Sequence, residues 1–409
     1  MKKYYFTAII IFICAKLIFA SDINSKAGTT GADFLKVPAD SFSQAMGGMS
    51  FGYGRYASCL FENPACMSSL PNSSLSIGTS KWLLDSQYNS VALVIPLRTE
   101  QKKRAGKQTQ VKEKKTSREY EKPAAKKNIR RKSIASSRSG NRRDMSGRSA
   151  KKSITGRDHS RKSITRKGSA YGSGTLQDAI GFGVIYFDAG EVKETVMDTF
   201  DNITETGNAL AAKDLCGIIS YSKALGSCSI GINAKYIKRE LASEKAAAFA
   251  ADIGAYKPFL LAPVENTIFL GVVIENLGGK LDFLSETPHK DDLPTQYGIG
   301  AVWKIQKVLF ALNLSKPIDN DFKSTLGFEY DIMDEFNFRC GYKISGIDRD
   351  AIGGSLTGFS AGLNFPLKVI NGSISYSYVP FNELKTTHHF TLNICFGQVY
   401  RDDQYWFYE

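Results

Sequence analysis

The sequence predicts an all-β chain: an antiparallel transmembrane β-barrel of about 14 strands with a small N-terminal plug containing short helices. Three observations point there. First, long stretches of the 409-residue chain alternate apolar and polar residues with period two, the signature of strands with one buried and one contrasting face. Second, the N-terminus carries an export signal, and no segment offers eighteen consecutive apolar residues for a spanning helix. An exported chain of this kind resides in a membrane only as a closed barrel. Third, the connections between strands sort by parity. Odd-to-even links are long (Met197–Lys213, Gly279–Pro294, Gly346–Ser355), and even-to-odd links are mostly tight (Gly226–Ser227, Gln306–Lys307, Asp334–Glu335). Outer-membrane barrels show this asymmetry, with short periplasmic turns and long external loops. Alternation alone also suits a soluble sandwich, but a sandwich has no reason to sort its loops.

Residues 1–20 read as the signal peptide: Lys2 and Lys3, an apolar Thr7–Ile13 run extended by Leu17–Ala20, and Ala20 before the cut. Residues 21–73 lack strand alternation and read as the plug. Ala39–Gly48 suits a short helix ending at Gly47-Gly48, and Pro64 suits a helix start. The barrel takes residues 74–98 and 174–396. In the closing hairpin Ile374, Tyr376, Tyr378, Phe390, Leu392 and Ile394 face lipid, opposite a small polar face of Ser373, Ser375, Ser377, Thr391 and Asn393. Residues 397–409 form a C-terminal tail.

The net charge of +13 belongs to one segment. Residues 100–170 hold 25 Lys and Arg against 6 Asp and Glu, about +19, so the remainder is mildly acidic at about −6. Residues 99–173 are rich in Lys, Arg, Ser and Thr and bury too little apolar surface to fold, so they are expected to be a disordered basic insert. A short element repeats there: Arg131-Lys132-Ser133-Ile134, Lys151-Lys152-Ser153-Ile154 and Arg161-Lys162-Ser163-Ile164. Parity puts the insert on the periplasmic side. One reading is a tolerated insertion. A second is a tether to a periplasmic polyanion through Arg130, Arg131, Lys132, Arg142, Arg143, Lys151, Lys152, Arg161 and Lys162. Nucleic acid is disfavoured, because aromatic residues are nearly missing from the segment.

Catalytic chemistry finds no purchase. P-loop, GxGxxG, HExxH and GxSxG motifs are missing, and neither a catalytic residue, a metal site nor a cofactor is expected. His388 and His389 are adjacent in a strand and face opposite ways, which prevents shared ligation of an ion. On the polar face, Glu329 and Asp331 are expected to pair with Arg339, Lys343 or Lys235 across the lumen rather than to act as a carboxylate dyad. Of the six cysteines after the signal, only Cys59 and Cys66 are near enough in sequence to suggest a disulfide, and the simpler reading has them as small buried residues.

Several stretches together resemble one family. Ala27-Gly28-Thr29-Thr30-Gly31-Ala32-Asp33-Phe34-Leu35-Lys36, Ala45-Met46-Gly47-Gly48, Asn63-Pro64-Ala65, Glu275-Asn276-Leu277-Gly278, Leu293-Pro294-Thr295 and Phe338-Arg339-Cys340-Gly341-Tyr342 look like the PorV/PorQ outer-membrane barrels, which are related to the FadL-type transporters. The resemblance covers nearly all the chain except the basic insert. It implies a fourteen-stranded plugged barrel in the outer membrane, in contact with its lipid, with Gly47, Gly48, Asn63, Pro64 and Ala65 as plug motif residues. It further implies a non-enzymatic role: binding a secreted cargo protein, as in a type IX secretion shuttle. The alternatives are FadL-like transport of hydrophobic small molecules, and a structural barrel tethered to the envelope by its basic loop.

Overall fold

A computed structural model of the chain describes residues 28–83, 86–97, 176–197, 203–242, 244–261, 266–283, 290–333, 336–344, 358–381 and 385–396. The expected signal peptide, the expected basic insert with all nine of its named Arg and Lys residues, and the expected C-terminal tail lie outside these residues. The chain divides into a unit formed by Met1–Arg98 with Gly168–Glu409, described here, and a second unit, Thr99–Lys167.

The strands run β1 (Ser73–Lys81), β2 (Gln87–Leu97), β3 (Asp178–Met197), β4 (Ile203–Leu225), β5 (Cys228–Leu241), β6 (Glu244–Leu260), β7 (Asn266–Gly278), β8 (Lys280–Phe283), β9 (Lys290–Asp292), β10 (Gln296–Ile305), β11 (Val308–Pro317), β12 (Lys323–Met333), β13 (Phe336–Lys343), β14 (Phe359–Leu367), β15 (Gly372–Pro380) and β16 (Thr386–Phe396). All but β8 and β9 are staves of one antiparallel sheet. The first and last strands are neighbours, β1 pairing with β16 from Ser73 opposite Phe396 to Lys81 opposite His388, and the pairing of β5 with β6 completes the ring. This is a closed barrel of fourteen strands without an unpaired edge.

Closure explains the alternation. Ile219, Ile232, Phe249, Ile299, Phe310 and Phe390 all point outward and are at least 45% exposed, whereas Ser220, Asn233, Ser375, Thr391 and Asn393 on the opposite face are buried. An apolar exterior on a closed barrel has one stable solvent, the hydrocarbon of a bilayer, and the chain is an outer-membrane barrel. No helix among the described residues is long and apolar enough to cross a membrane. The closing hairpin faces as its alternation predicts. Ile374 is 40% and Phe390 50% exposed, and His389 is buried beside Ser80 while His388 stacks outside against Tyr376.

Two of the predicted loops are partly strand. Met197–Lys213 reads as a connection because its polar residues blur the alternation. Instead β3 continues to Met197 and β4 begins at Ile203, paired from Glu191–Ala211 to Met197–Ile203 across one register shift, between Lys193 and Thr195. Gly279–Pro294 contains β8 and β9, which prolong β7 and β10 beyond an interruption. Cys59 and Cys66 are both buried free thiols, so the suggested disulfide is not formed. Burial pushes both thiols well above their ordinary range, which makes them inert packing groups.

Inside the staves lies residues 28–72. A 3₁₀ turn (Asp33–Lys36) leads to α1 (Ser41–Ala45), then α2 (Cys59–Glu62) and a second 3₁₀ turn (Pro64–Ser69). Asp40 caps α1 by accepting the Ser43 N–H at 2.8 Å. Gly47 and Gly48, both at positive φ, end it, and the Gly48 N–H returns to the Ser43 carbonyl. Pro64 stands at the first position of the second turn, where its missing N–H costs nothing.

Candidate functional site

The inner face of the barrel is a socket for this segment. Ser90 donates to the Ala39 carbonyl, Ser360 to Ala45, Asn313 to Met49, Asn233 to Leu60 and Ser229 to Ala65, at 2.6–3.0 Å. Irregular backbone cannot satisfy its own polar groups, and the small polar wall residues do so for it. Where the segment's backbone touches the wall, the wall carries glycine. A Cβ on Gly231 would overlap the Ala65 N, one on Gly271 the Phe51 carbonyl, and one on Gly341 the Gly47 N. The polar stripe that suggested a lumen therefore holds a protein segment along the barrel's whole height. Thr30 bonds to the Asp319 carboxylate at the long-loop end, and Leu70 is held by Gln177 at the tight-turn end.

Asn63 fastens the middle. Its Oδ1 accepts the Ala65 N–H at 3.1 Å, and its Nδ2 donates to the carbonyls of Phe51 (2.8 Å) and, on the wall, Ala255 (3.2 Å). The Asn63-Pro64-Ala65 triplet thus caps a turn, starts it and packs its backbone against Gly231.

The predicted lumen residues Lys235, Glu329, Asp331, Arg339 and Lys343 are all on the inner face, but they do not form one network. Glu329 binds Arg339 at 2.5 Å, as expected, and also Arg55 of the internal segment at 2.6 Å, with Arg339 completely buried over the Phe42 ring. Asp331 bonds to Asn337 instead of a cation. Lys235 is too far round the barrel to reach either carboxylate and pairs with Asp252 at 2.8 Å. Lys343 has no carboxylate partner among the described residues; its expected pairing fails because Glu329 and Asp331 lie well down β12, whereas Lys343 stands opposite Thr325 near that strand's start.

The Lys235–Asp252 pair adjoins a break in the wall's ladder. The β6–β7 register shifts between Ala251 and Ile253. Opposite this shift Asn276 takes a left-handed conformation (φ 56°), uncommon for a residue with a Cβ. Its N–H goes to Asp252 (2.8 Å), and its side chain links Lys235 (2.8 Å) to the Pro294 carbonyl (3.1 Å). Pairing of β7 with β10 stops at Glu275–Gln296 and resumes only at Lys280–Asp292 between β8 and β9. The Gly31 N–H meets the Asp292 carbonyl at 2.9 Å, so the internal segment begins beside this break. Next to it, Lys36 bridges Asp33 (2.8 Å) and Asp319. Burial opposes ionisation of Asp319, but hydrogen bonds from Lys36 and Thr30 hold its carboxyl below the usual range.

Arg55, Asp252, Asn276, Lys36 and Asp319 are residues of the candidate site outside the set predicted from sequence. The signal for Asn276 was present, since Glu275-Asn276-Leu277-Gly278-Gly279 sets a turn-forming cluster inside an apolar strand. Among the described residues no cluster of His, Cys, Asp or Glu could hold a metal ion.

Fold and interior together define a class: an outer-membrane β-barrel whose lumen is filled by its own N-terminal segment. No protein-family model and no curated protein matches the chain. Solved structures similar to it include the Ralstonia pickettii toluene transporter TbuX, with 11% identity, TM-score 0.45, and 89% of this chain and 99% of that one covered. The monoaromatic hydrocarbon channel CymD has 10% identity, TM-score 0.46 and the same coverages. A Pseudomonas aeruginosa FadL homologue has 9% identity, TM-score 0.39, and coverages of 87% and 97%.

Proposed function

We propose that this barrel is a non-enzymatic transporter that admits a small hydrophobic molecule through its long-loop mouth and releases it through the wall rather than along the axis. The observation carrying this reading is the break in the β7–β10 ladder beside Asn276, in a barrel whose axis is occupied from Thr30 to Leu70. A segment seated backbone-to-backbone against wall glycines moves aside only by losing most of its hydrogen bonds at once, whereas an interrupted ladder leaves a local weakness in the wall. The same reading applies to this chain the transport of hydrocarbons named for TbuX and CymD.

The test is uptake of the hydrophobic dye N-phenyl-1-naphthylamine by cells with and without the protein. A second arm carries Asn276→Cys with Pro294→Cys, whose disulfide would staple the break. Uptake should fall on deletion and on oxidation of the double variant, and return on reduction. Unchanged uptake in the deletion strain sinks the reading.

Binding of a secreted cargo protein, as the PorV resemblance implies, is a separate proposal resting on sequence alone. Cross-linked pull-down of secreted proteins sharing a C-terminal domain tests it, and a clean blank ends it.

A further inference from the structure

The wall does not end level at the long-loop end. Pairing of β2 with β3 stops at Gln87–Asp188, and pairing of β4 with β5 stops at Ala212–Leu241. β3 and β4 continue together past both points, from Glu191–Ala211 to Met197–Ile203. Where they leave the wall, Gly190 takes φ 79° and its N–H turns back to the Asp188 carboxylate at 3.0 Å. Among the described residues no other strand pairs with either side of this extension. The barrel proper has no edge, but the ribbon above it has two.

A row of backbone N–H and C=O groups without a ladder is a template for another extended chain. Two strands alone are also marginal in water, and a third stabilises them. The two edges differ. On β4, Thr206, Gly207 and Asn208 stand opposite Glu194 alone, because Lys193 pairs with Ala209 and Thr195 with Glu205. Such a bulge bends its edge and disrupts further pairing. The β3 edge is regular over Glu191–Met197, about 23 Å of strand. Its sequence sets what fits there. Val192, Glu194 and Val196 alternate with Glu191, Lys193 and Thr195. β-Branched residues opposite the valines, a basic residue opposite each glutamate and an acid opposite Lys193 make favourable cross-strand pairs, and Lys193 in mid-edge discourages indiscriminate pairing. A second copy in the same membrane suits the edge poorly. Its β3 runs in the same sense and offers only the less stable parallel ladder, and its antiparallel β4 edge carries the bulge.

We propose that the Glu191–Met197 edge of β3 binds an extended segment of another polypeptide outside the cell, as a third, antiparallel strand in line with β2. Outer-membrane barrels turn their long loops outward, which puts the ribbon there. The guest segment carries β-branched residues at alternate positions, with a basic residue between two of them opposite Glu194. Backbone pairing supplies the affinity, and the residues opposite Val192, Glu194 and Val196 supply the selectivity. The site belongs to β3 and β4, not to the strands of the wall break, so it stands or falls independently of the transport reading.

The probe is a labelled heptapeptide, Thr-Val-Thr-Lys-Glu-Ile-Lys, written to lie antiparallel along the edge from Met197 to Glu191. It is titrated by fluorescence anisotropy into the full-length protein in lipid nanodiscs. Two further versions carry methyl groups on the even or on the odd backbone nitrogens, and a third has its central Lys replaced by Glu. The parent peptide should bind and slow amide exchange over residues 191–197. Only alternate N–H groups of an added strand face its host, so one methylated version should lose binding and the other keep it. Glu194→Lys should weaken the parent about fivefold and strengthen the Glu-centred peptide by a similar factor, with heat-modifiable migration on gels certifying the fold. Failure of the parent to bind, equal binding of the two methylated versions, or exchange slowed over 203–211 instead of 191–197 overturns the proposal. Exchange slowed at 191–197 without peptide, in nanodiscs that hold two copies, gives the edge to a second copy and overturns it as well.

Discussion

The side-chain oxygen of Asn63 occupies the place where a Cβ on Gly254 would stand. The two residues are 191 positions apart in sequence, one in the internal segment and one in β6, and the glycine exists so that the asparagine can reach the wall carbonyl of Ala255. Gly254→Val should therefore unseat the segment, with a cost of about 2–3 kcal/mol from overpacking and lost hydrogen bonds. Asn63→Ala should cost a similar amount by stranding the Phe51 carbonyl and Ala65 N–H. Because they share one contact, the double variant should cost less than the sum. Urea unfolding midpoints in vesicles measure all three, and strict additivity would show that the contact is not shared.

Arg55, Glu329 and Arg339 form a buried triad that ties the internal segment to β12 and β13. Glu329→Ala leaves two guanidiniums facing each other and should destabilise the barrel by about 3–5 kcal/mol. Replacing all three with apolar residues should restore most of that loss, since no charge is left unpaired. If the triple variant is as unstable as Glu329→Ala, the triad is needed for packing rather than for charge balance. The same unfolding assay decides.

Period two made the barrel legible, because lipid and polar interior impose opposite demands on successive side chains. Gly372–Pro380 and Thr386–Phe396 show this, with Ile374 and Phe390 outward and Ser373, Ser375, Ser377, Thr391 and Asn393 buried on the other face, as predicted. What occupies the interior was less legible. A serine that lines water and a serine that donates to the Ala39 carbonyl are the same letter, so period two cannot single out Ser90 and Ser360 as the residues that hold the internal segment. Pair identities were lost for a related reason. Glu329 and Arg339 are hydrogen-bonding neighbours in register and could be matched from sequence, but Arg55 belongs to a segment without periodicity. Asn276 was visible as a turn signal, yet only the strand register turns it into a break in the wall.

Glu62 should give the folded protein a pH response. Burial, with the Asp40 carboxylate nearby, pushes its carboxyl up to about 7, while the Ser50 N–H at 2.8 Å pulls the other way. Between the ordinary value of 4.5 and about 7 the folded chain keeps a proton that the unfolded chain has released. Stability from this group is therefore complete below pH ~4.5, declines as pH rises towards ~7, and is flat beyond, a total loss of up to about 3 kcal/mol. Glu62→Gln should abolish the decline and be the more stable protein at pH 8. A wild-type unfolding midpoint that does not vary between pH 5 and 8, against the same flat profile for Glu62→Gln, would contradict this.

The basic segment should be dispensable for the barrel. Its flanking strands meet before it begins: Leu97 and Asp178 are register partners at the end of β2 and start of β3, on the tight-turn side. Whatever lies between them closes a loop whose ends the ladder already holds. Loop length enters the closure entropy only logarithmically, so exchanging 75 residues (99–173) for a short Gly/Ser turn changes stability by about 2 kcal/mol at most, in the favourable direction. Deleting residues 99–173 should leave heat-modifiability intact and the unfolding midpoint equal or higher. The charge of the remaining chain turns from about +13 to mildly negative, so retention on an anionic resin should vanish while dye uptake persists. Loss of folding on this deletion would mean that the segment, for all its polar composition, contributes contacts to the barrel.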